Sequence, residues 1–288
     1  MNINFDKVTY EYSIKTPFQY KALNEVSTSF NEAKFYAIVG HTGSGKSTLI
    51  QHLNAILKPT RGKVIIGETE IKHKSKAKHL LPVRKKVGIV FQFAEHQLFE
   101  DTVEKDIIFG PLNYGMDKKE AIDKAESLID LFNMDRSILK RSPFELSGGQ
   151  KRRIAIAGVL AMQPEILVLD EPTVGLDPKG QREMMELFND IHEKLGMTII
   201  LISHQMDIVL KYADEVKVMA SGEIIAEDKP EQIFTNDELL KTAHLQAPKI
   251  IQLQQAIEHK HQMKFDQIAT SEEMFKEMYE KQVIRDDR

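Results

Sequence analysis

The run Gly40-His41-Thr42-Gly43-Ser44-Gly45-Lys46-Ser47-Thr48 constrains this chain more than any other stretch. The apolar segment Phe35–Val39 precedes it, and Leu49-Ile50-Gln51-His52-Leu53 follows with helical spacing. Strand, glycine-rich loop and helix, in that order, are what a phosphate-binding loop requires. The glycines permit a backbone that wraps around phosphate and turns its N–H groups inward. The start of the helix adds partial positive charge. Lys46 can reach the β- and γ-phosphates, and the Ser47 hydroxyl can ligate Mg²⁺. Taken alone, the run is also a glycine turn before an amphipathic helix. With strand and helix both in place, it marks a nucleoside triphosphate site.

The rest of the composition narrows the partners. A chain of 288 residues holds about two domains, or one with an appendage. The net charge of −4, from 39 basic and 43 acidic residues, gives no support for a polyanion-binding surface. Residues 72–86 carry Lys72, Lys74, Lys76, Lys78, Lys85 and Lys86 with His73 and His79, but no interleaved aromatics. They read as a solvated loop rather than a nucleic-acid patch. The absence of cysteine excludes disulfides and thiolate metal sites. Apolar runs such as 197–202 are too short to span a bilayer. The first residues lack a basic region followed by an apolar stretch, so no export signal is expected. The expectation is a cytosolic protein that can sit on a membrane partner.

Taken in order, residues 1–38 read as short strands of an antiparallel β layer. Tyr12 follows the alternation of a half-buried strand residue, with stacking on a nucleobase as the alternative. Residues 63–66 and 87–91 are strands, the second ending at Gln92. From 101 to about 160 the pattern is helical, broken at Gly110-Pro111 and at Asn113-Tyr114-Gly115. A helix over 151–162 follows Leu146-Ser147-Gly148-Gly149-Gln150. The apolar strand 166–169 ends in Asp170 and Glu171, as in the centre of a parallel sheet. Helix 179–195, strand 197–202 ending at Ser203-His204, helix 207–213 and strands 215–219 and 223–226 complete a mostly parallel α/β core. Beyond 235 the chain reads as a helical appendage. Thr235 and Glu238 have capping-box spacing, Pro248 separates that segment from Ile250, Leu253 and Ile257, and Ser271 starts a last helix with Phe275, Met278 and Tyr279 on one side.

Two further groups carry chemistry. Asp170 is placed to hold Mg²⁺, and Glu171 to orient and deprotonate an attacking water. The alternative is a pair of N-capping carboxylates. The 146–150 run offers a hydroxyl and unencumbered backbone N–H groups to a second anion, or serves as a plain N-cap. A second phosphate site in one chain suggests head-to-tail pairing, each nucleotide lying between two protomers.

Together these motifs resemble the nucleotide-binding subunit of ATP-binding cassette (ABC) transporters over roughly residues 3–235. The resemblance implies a P-loop NTPase cassette with a RecA-like α/β core. It divides into core 1–95, a helical signature subdomain 96–162, core 163–234 and a C-terminal helical extension 235–288 that helps dimerisation. It implies that Tyr12 stacks on adenine and that Gln92 touches Mg²⁺ and senses the membrane partner. It puts Asp177 at the dimer interface and His204 against the γ-phosphate. The segments 90–95, Phe109-Gly110-Pro111, 142–149 and 173–178 are similar to energy-coupling factor (ECF) vitamin importers. Phe93-Ala94-Glu95 with Gln97 is most like the second of their two ATPase subunits, although Val174 stands where alanine is expected.

The resemblance implies an ATPase using ATP and Mg²⁺ at the cytoplasmic face of the cell membrane. Its expected partners are a homologous ATPase subunit, a transmembrane coupling protein and substrate-binding membrane components, with no nucleic acid. Residues 92–100, with Glu95, Leu98 and Phe99, form the candidate groove for a basic coupling helix; a plain surface loop is the alternative. A cobalt or nickel importer is a near neighbour. An ABC ATPase of DNA would need a long coiled coil, and 48–165 has no sustained heptads. A ribosome-directed ABC protein would normally carry two cassettes.

Overall fold

A computed structural model describes residues 1–286; the last two residues of the expected extension, 287 and 288, lie outside it. The N-terminal layer is built from β1 (Ile3–Tyr12), β2 (Tyr20–Phe30), and, beyond the phosphate loop, β4 (Arg61–Ile66) and β5 (Thr69–Ile71). All pair antiparallel in the order β2-β1-β4-β5. The first two strands are longer than the pattern suggested, because bulges between Phe5 and Glu11 let one face stay buried as the strands twist.

Among the described residues a second sheet runs β10-β9-β3-β8-β7-β6. It comprises β3 (Phe35–Val39), β6 (Val87–Val90), β7 (Ile166–Asp170), β8 (Thr198–Ile202), β9 (Glu215–Ala220) and the antiparallel edge β10 (Glu223–Asp228). Strands β3 and β8 are buried along their whole length, as strands covered on both faces must be. One face meets the antiparallel layer and α1 (Lys46–Leu53) through Tyr36, Ile38, Val168 and Ile200. The other, through Leu167, Leu169 and Leu201, meets α3 (Val103–Asn113), α4 (Lys118–Leu131), α5 (Gly148–Ala161) and α6 (Pro178–Leu195). In register, Ile38 and Asp170 both oppose Ile202. The phosphate loop, the Asp170-Glu171 pair and Ser203-His204 therefore leave the sheet side by side, at the carboxyl ends of parallel strands.

Several expectations need correction. Residues 72–86 are not all loop: the second half is α2 (Ala77–Lys86), because Leu80 and Val83, one turn apart, enter the core while the lysines face water. Helix α3 continues through Gly110 and Pro111 and turns only at Gly115, whose φ is +82°. A Cβ at Gly110 would lie 2.8 Å from Met162 Sδ, so glycine there permits close helix approach, and Pro111 is buried.

The tail is not a detached appendage. Its helices α9 (Asp237–Ala243), α10 (Lys249–His261) and α11 (Glu272–Asp286) share one apolar cluster with α7 (Met206–Tyr212) and α8 (Pro230–Phe234) of the core and with Ala37, Val39, Val216 and Val218. That cluster backs the very strand that leads into the phosphate loop. Asn236, not Thr235, caps α9, accepting from the Leu239 N–H at 3.0 Å; the Thr235 hydroxyl donates to the Glu231 carbonyl instead. On α10 the inward residues are Ile250, Ile251 and Gln254, while Leu253 is exposed. Gln254 turns inward because its amide ties down the Gln267 carbonyl and the Ala269 N–H.

Candidate nucleotide site

The phosphate loop is shaped by backbone space. Gly40 has φ +150°, and a Cβ there would lie 2.2 Å from the Met219 carbonyl oxygen; Gly45, at φ +105°, caps α1 with no side-chain hydrogen bond. Gly43, at φ +82°, stands in open space. The first-turn N–H groups of α1 are thus left to an external acceptor. Lys46 is buried and donates to the carbonyls of Gly40 at 2.8 Å and His41 at 2.9 Å. Burial pulls its pKa down, opposed by the charges of Glu171 and Asp170. Ser44 Oγ is buried without a hydrogen-bond partner among the described residues. An orphaned hydroxyl, an uncapped helix and a buried ammonium together fit a bound phosphate. His41 packs edge-to-face on His244 of the tail, with ring centroids 5.8 Å apart. Thr48, on the first turn, faces Tyr12: their hydroxyls lie 3.3 Å apart. Tyr12 ends β1 and is 37% exposed, so a face is available for stacking.

The carboxylates stand beside this loop. Asp170 is pushed up to about 6, first by burial and then by the Glu171 charge, with Lys46 opposing. Glu171 turns the chain at φ +50° while its N–H still bonds the Ile202 carbonyl at 3.0 Å. Its Oε1 lies 3.0 Å from His204 Nε2, and its Oε2 accepts from Gln92 Nε2 at 3.3 Å. The sheet therefore brings Gln92, Glu171 and His204 together from three separate strand ends. The Ser47 hydroxyl, Asp170 carboxylate and Gln92 amide are hard oxygen donors that fit Mg²⁺. No group of three or more His, Cys, Asp or Glu among the described residues is arranged to hold a metal ion by itself, so phosphate oxygens and water would complete the coordination.

The 146–150 run lies elsewhere. Ser147 is the N-cap of α5, which begins at Gly148 rather than 151, and it forms a capping box with Gln150. Leu146 and Gln150 act within the chain: Leu146 is buried in the helical layer, and Gln150 accepts from the Ser147 N–H at 3.1 Å. Gly148 and Gly149 stay exposed, and a Cβ added at either would meet nothing within 4 Å. No hydrogen bond or ion pair among the described residues joins this run to 40–48. Asp177 caps α6 through the Gly180 N–H at 2.9 Å.

The groove residues divide. Phe99 is exposed and packs edge-to-face on Phe109, and with Leu98 it lines a cleft of about 290 Å³ that also includes Met162. Glu95 is not a free carboxylate for an incoming cation, because Arg152 holds both its oxygens. Arg152 is a residue that the sequence motifs do not single out. Its signal is position: it shares the inward stripe of α5 with Ile156 and Leu160, where a lone arginine needs a buried partner.

The phosphate loop, the paired carboxylates at the end of β7 and the glycine-rich start of α5 are the features of an ATP-binding cassette. A family model described as ABC transporter matches residues 23–174. The energy-coupling factor transporter ATP-binding protein EcfA2 of Bacillus thuringiensis (strain Al Hakam) is 53% identical over 260 residues, 90% of this chain and 89% of that protein. The protein of the same name from Staphylococcus aureus (strain MRSA252) is 50% identical over 279 residues, 97% and 98% of the two chains. The solved structure of cbiO1 from Clostridium perfringens, part of the ABC transporter complex cbiONQ, superposes with a TM-score of 0.73 at 34% identity, covering 91% of this chain and 98% of that one. The cassette MJ0796, solved as a dimer bound to ADP and Pi, gives a TM-score of 0.70 at 28% identity, covering 79% and 98%. The chain belongs to the ABC transporter family, among the ATP-binding proteins of energy-coupling factor transporters.

Proposed function

We propose that this ATPase is the motor subunit of an ECF-type importer, powering uptake of vitamins or related micronutrients through a transmembrane coupling protein. The observation that carries the catalytic part is the Glu171 carboxylate held between His204 and Gln92, beside the phosphate loop. In this reading Tyr12 stacks on the adenine, and the N–H groups of 43–48 with Lys46 grip the phosphates. Ser47, Asp170 and Gln92 would hold Mg²⁺, which would supply positive charge at the phosphates. Glu171 orients and deprotonates the attacking water, and His204 keeps that carboxylate in place while meeting the γ-phosphate. Each nucleotide lies between the phosphate loop of one subunit and the signature loop of a homologous partner, most simply in a heterodimer, with Asp177 at the seam. ATP thus closes the pair, and hydrolysis releases it. The subunit docks peripherally at the cytoplasmic face of the membrane, through the cleft lined by Leu98 and Phe99, a placement supported by its kinship with energy-coupling factor transporter ATP-binding proteins.

The likeness to cbiO1 favours a second reading, the ATPase of a cobalt or nickel system. A mild-detergent pull-down from native membranes separates the two. A second ATPase, one coupling protein and several small substrate-binding membrane proteins support the shared-module importer. A single dedicated permease supports the metal system, and no membrane protein at all overturns the transport reading.

A further inference from the structure

His52 lies one turn beyond Thr48 on α1 and takes no part in the chemistry above. Its side chain is fully buried. Nδ1 sits 2.7 Å from the Thr48 carbonyl, which can only accept, so Nδ1 carries the hydrogen. Nε2 is then a buried lone pair with no hydrogen-bond partner among the described residues. A leucine or phenylalanine would fill this space without stranding a polar atom. What the imidazole does offer is a ring in a fixed orientation. It meets Tyr10 edge-to-face, with centroids 5.0 Å apart at 79°. Tyr10 in turn meets Tyr12 edge-to-face, at 4.8 Å and 82°. The Tyr12 hydroxyl then returns to Thr48 Oγ1. Thr48, His52, Tyr10 and Tyr12 close a circuit that begins and ends on the first turn of α1.

The circuit has two geometric consequences. An edge-to-face contact with Tyr10 covers at most one face of Tyr12, so the other is left for a planar ligand. The same contacts fix Tyr12 against the helix whose N-terminus meets the phosphates, which sets the distance between base and triphosphate subsites. We propose that His52 and Tyr10 are positioning residues for purine recognition, holding the Tyr12 ring at a set angle and spacing from the phosphate loop. This rests on the reading of Tyr12 as the adenine-stacking aromatic. The imidazole is suited to a constant brace: burial lowers its pKa to about 4, against the weaker upward pull of the Thr48 carbonyl, so it stays neutral at physiological pH.

The test is calorimetric binding of ATP and of inorganic triphosphate to the full-length protein and its variants. His52→Leu is expected to weaken ATP binding about three- to tenfold, the scale of one lost aromatic pair, with triphosphate affinity within about twofold. Tyr10→Leu should match it, and His52→Phe, which keeps a ring, should restore ATP affinity to within about twofold. Parallel loss of both ligands in folded His52→Leu, or unchanged ATP affinity, would overturn the proposal. If His52→Leu fails to fold, Tyr10→Leu decides alone: an unchanged ratio of ATP to triphosphate affinity overturns the proposal. A wild-type protein, or a Tyr12→Ala variant, showing no contribution of the base would instead bring down the Tyr12 reading itself.

Discussion

Arg152 grips the Glu95 carboxylate at both oxygens, Nε to Oε2 at 2.9 Å and Nη2 to Oε1 at 2.7 Å, with both side chains largely withdrawn from water. Its remaining arm, Nη1, donates to the carbonyls of Pro172 and Val174. One side chain on α5 thereby fastens the turn after Gln92 to the turn after Glu171. Removing one member of such a pair strands the other charge, at a cost of about 3–5 kcal/mol. Arg152→Ala should lose stability on that scale in denaturant unfolding. Arg152→Gln combined with Glu95→Gln should cost less than the two single changes added. Strict additivity would mean the two groups do not interact.

The same pair sets a pH dependence. Burial alone would raise the Glu95 pKa, but the hydrogen bond and charge of Arg152 outweigh it and bring the carboxyl below its ordinary 4.5. A carboxylate depressed in the folded state contributes stability that is complete above the unfolded value and lost as pH falls through the folded one. Wild-type stability should therefore decline below about pH 4.5 more steeply than that of Glu95→Gln, measured by thermal melts over pH 3–6.

Glu171→Gln keeps the shape of the turn and its hydrogen-bonding neighbours but removes the base. Hydrolysis should fall by about 10²–10⁴-fold while ATP affinity is retained, as read by single-turnover kinetics and equilibrium binding. Near-normal turnover would take Glu171 out of its assigned role. Lys46→Ala should act differently, weakening nucleotide binding itself by at least about tenfold, the scale of a lost charge-assisted hydrogen bond.

Two glycines of the phosphate loop should part company. A methyl group at Gly40 would collide with the Met219 backbone at 2.2 Å, so Gly40→Ala must displace β9 or the loop. At Gly43 the added carbon meets nothing within 4 Å and only the positive φ is strained, about 1–2 kcal/mol. Thermal unfolding should show Gly40→Ala as much the more damaging change.

What could be read from the sequence was what adjacent residues determine. The phosphate loop, the strand ending at Asp170 and Glu171, and the start of α5 each sit within one short window, with their chemistry in order. The brace partners do not: Arg152 and Glu95 are 57 positions apart. Nothing in either local pattern announces the other, nor does His52 announce Tyr10. The misread helices share one cause. Pro111 and the lysines of α2 carry poor local signals, and packing of Ile107, Leu80 and Val83 overrules them. The tail reads as separate because its polar faces dominate its composition, while Ile251 and Phe275 join the apolar cluster that backs the sheet.

Glu171 holds a left-handed backbone, with φ +50°. Glycine or asparagine would occupy φ +50° with less strain, so at this position a sturdier fold and a working motor make opposite demands. A screen that selects only for heat tolerance would tend to collect inert proteins altered at residue 171. Under the role proposed for Glu171, selection for turnover would be needed to hold the carboxylate there.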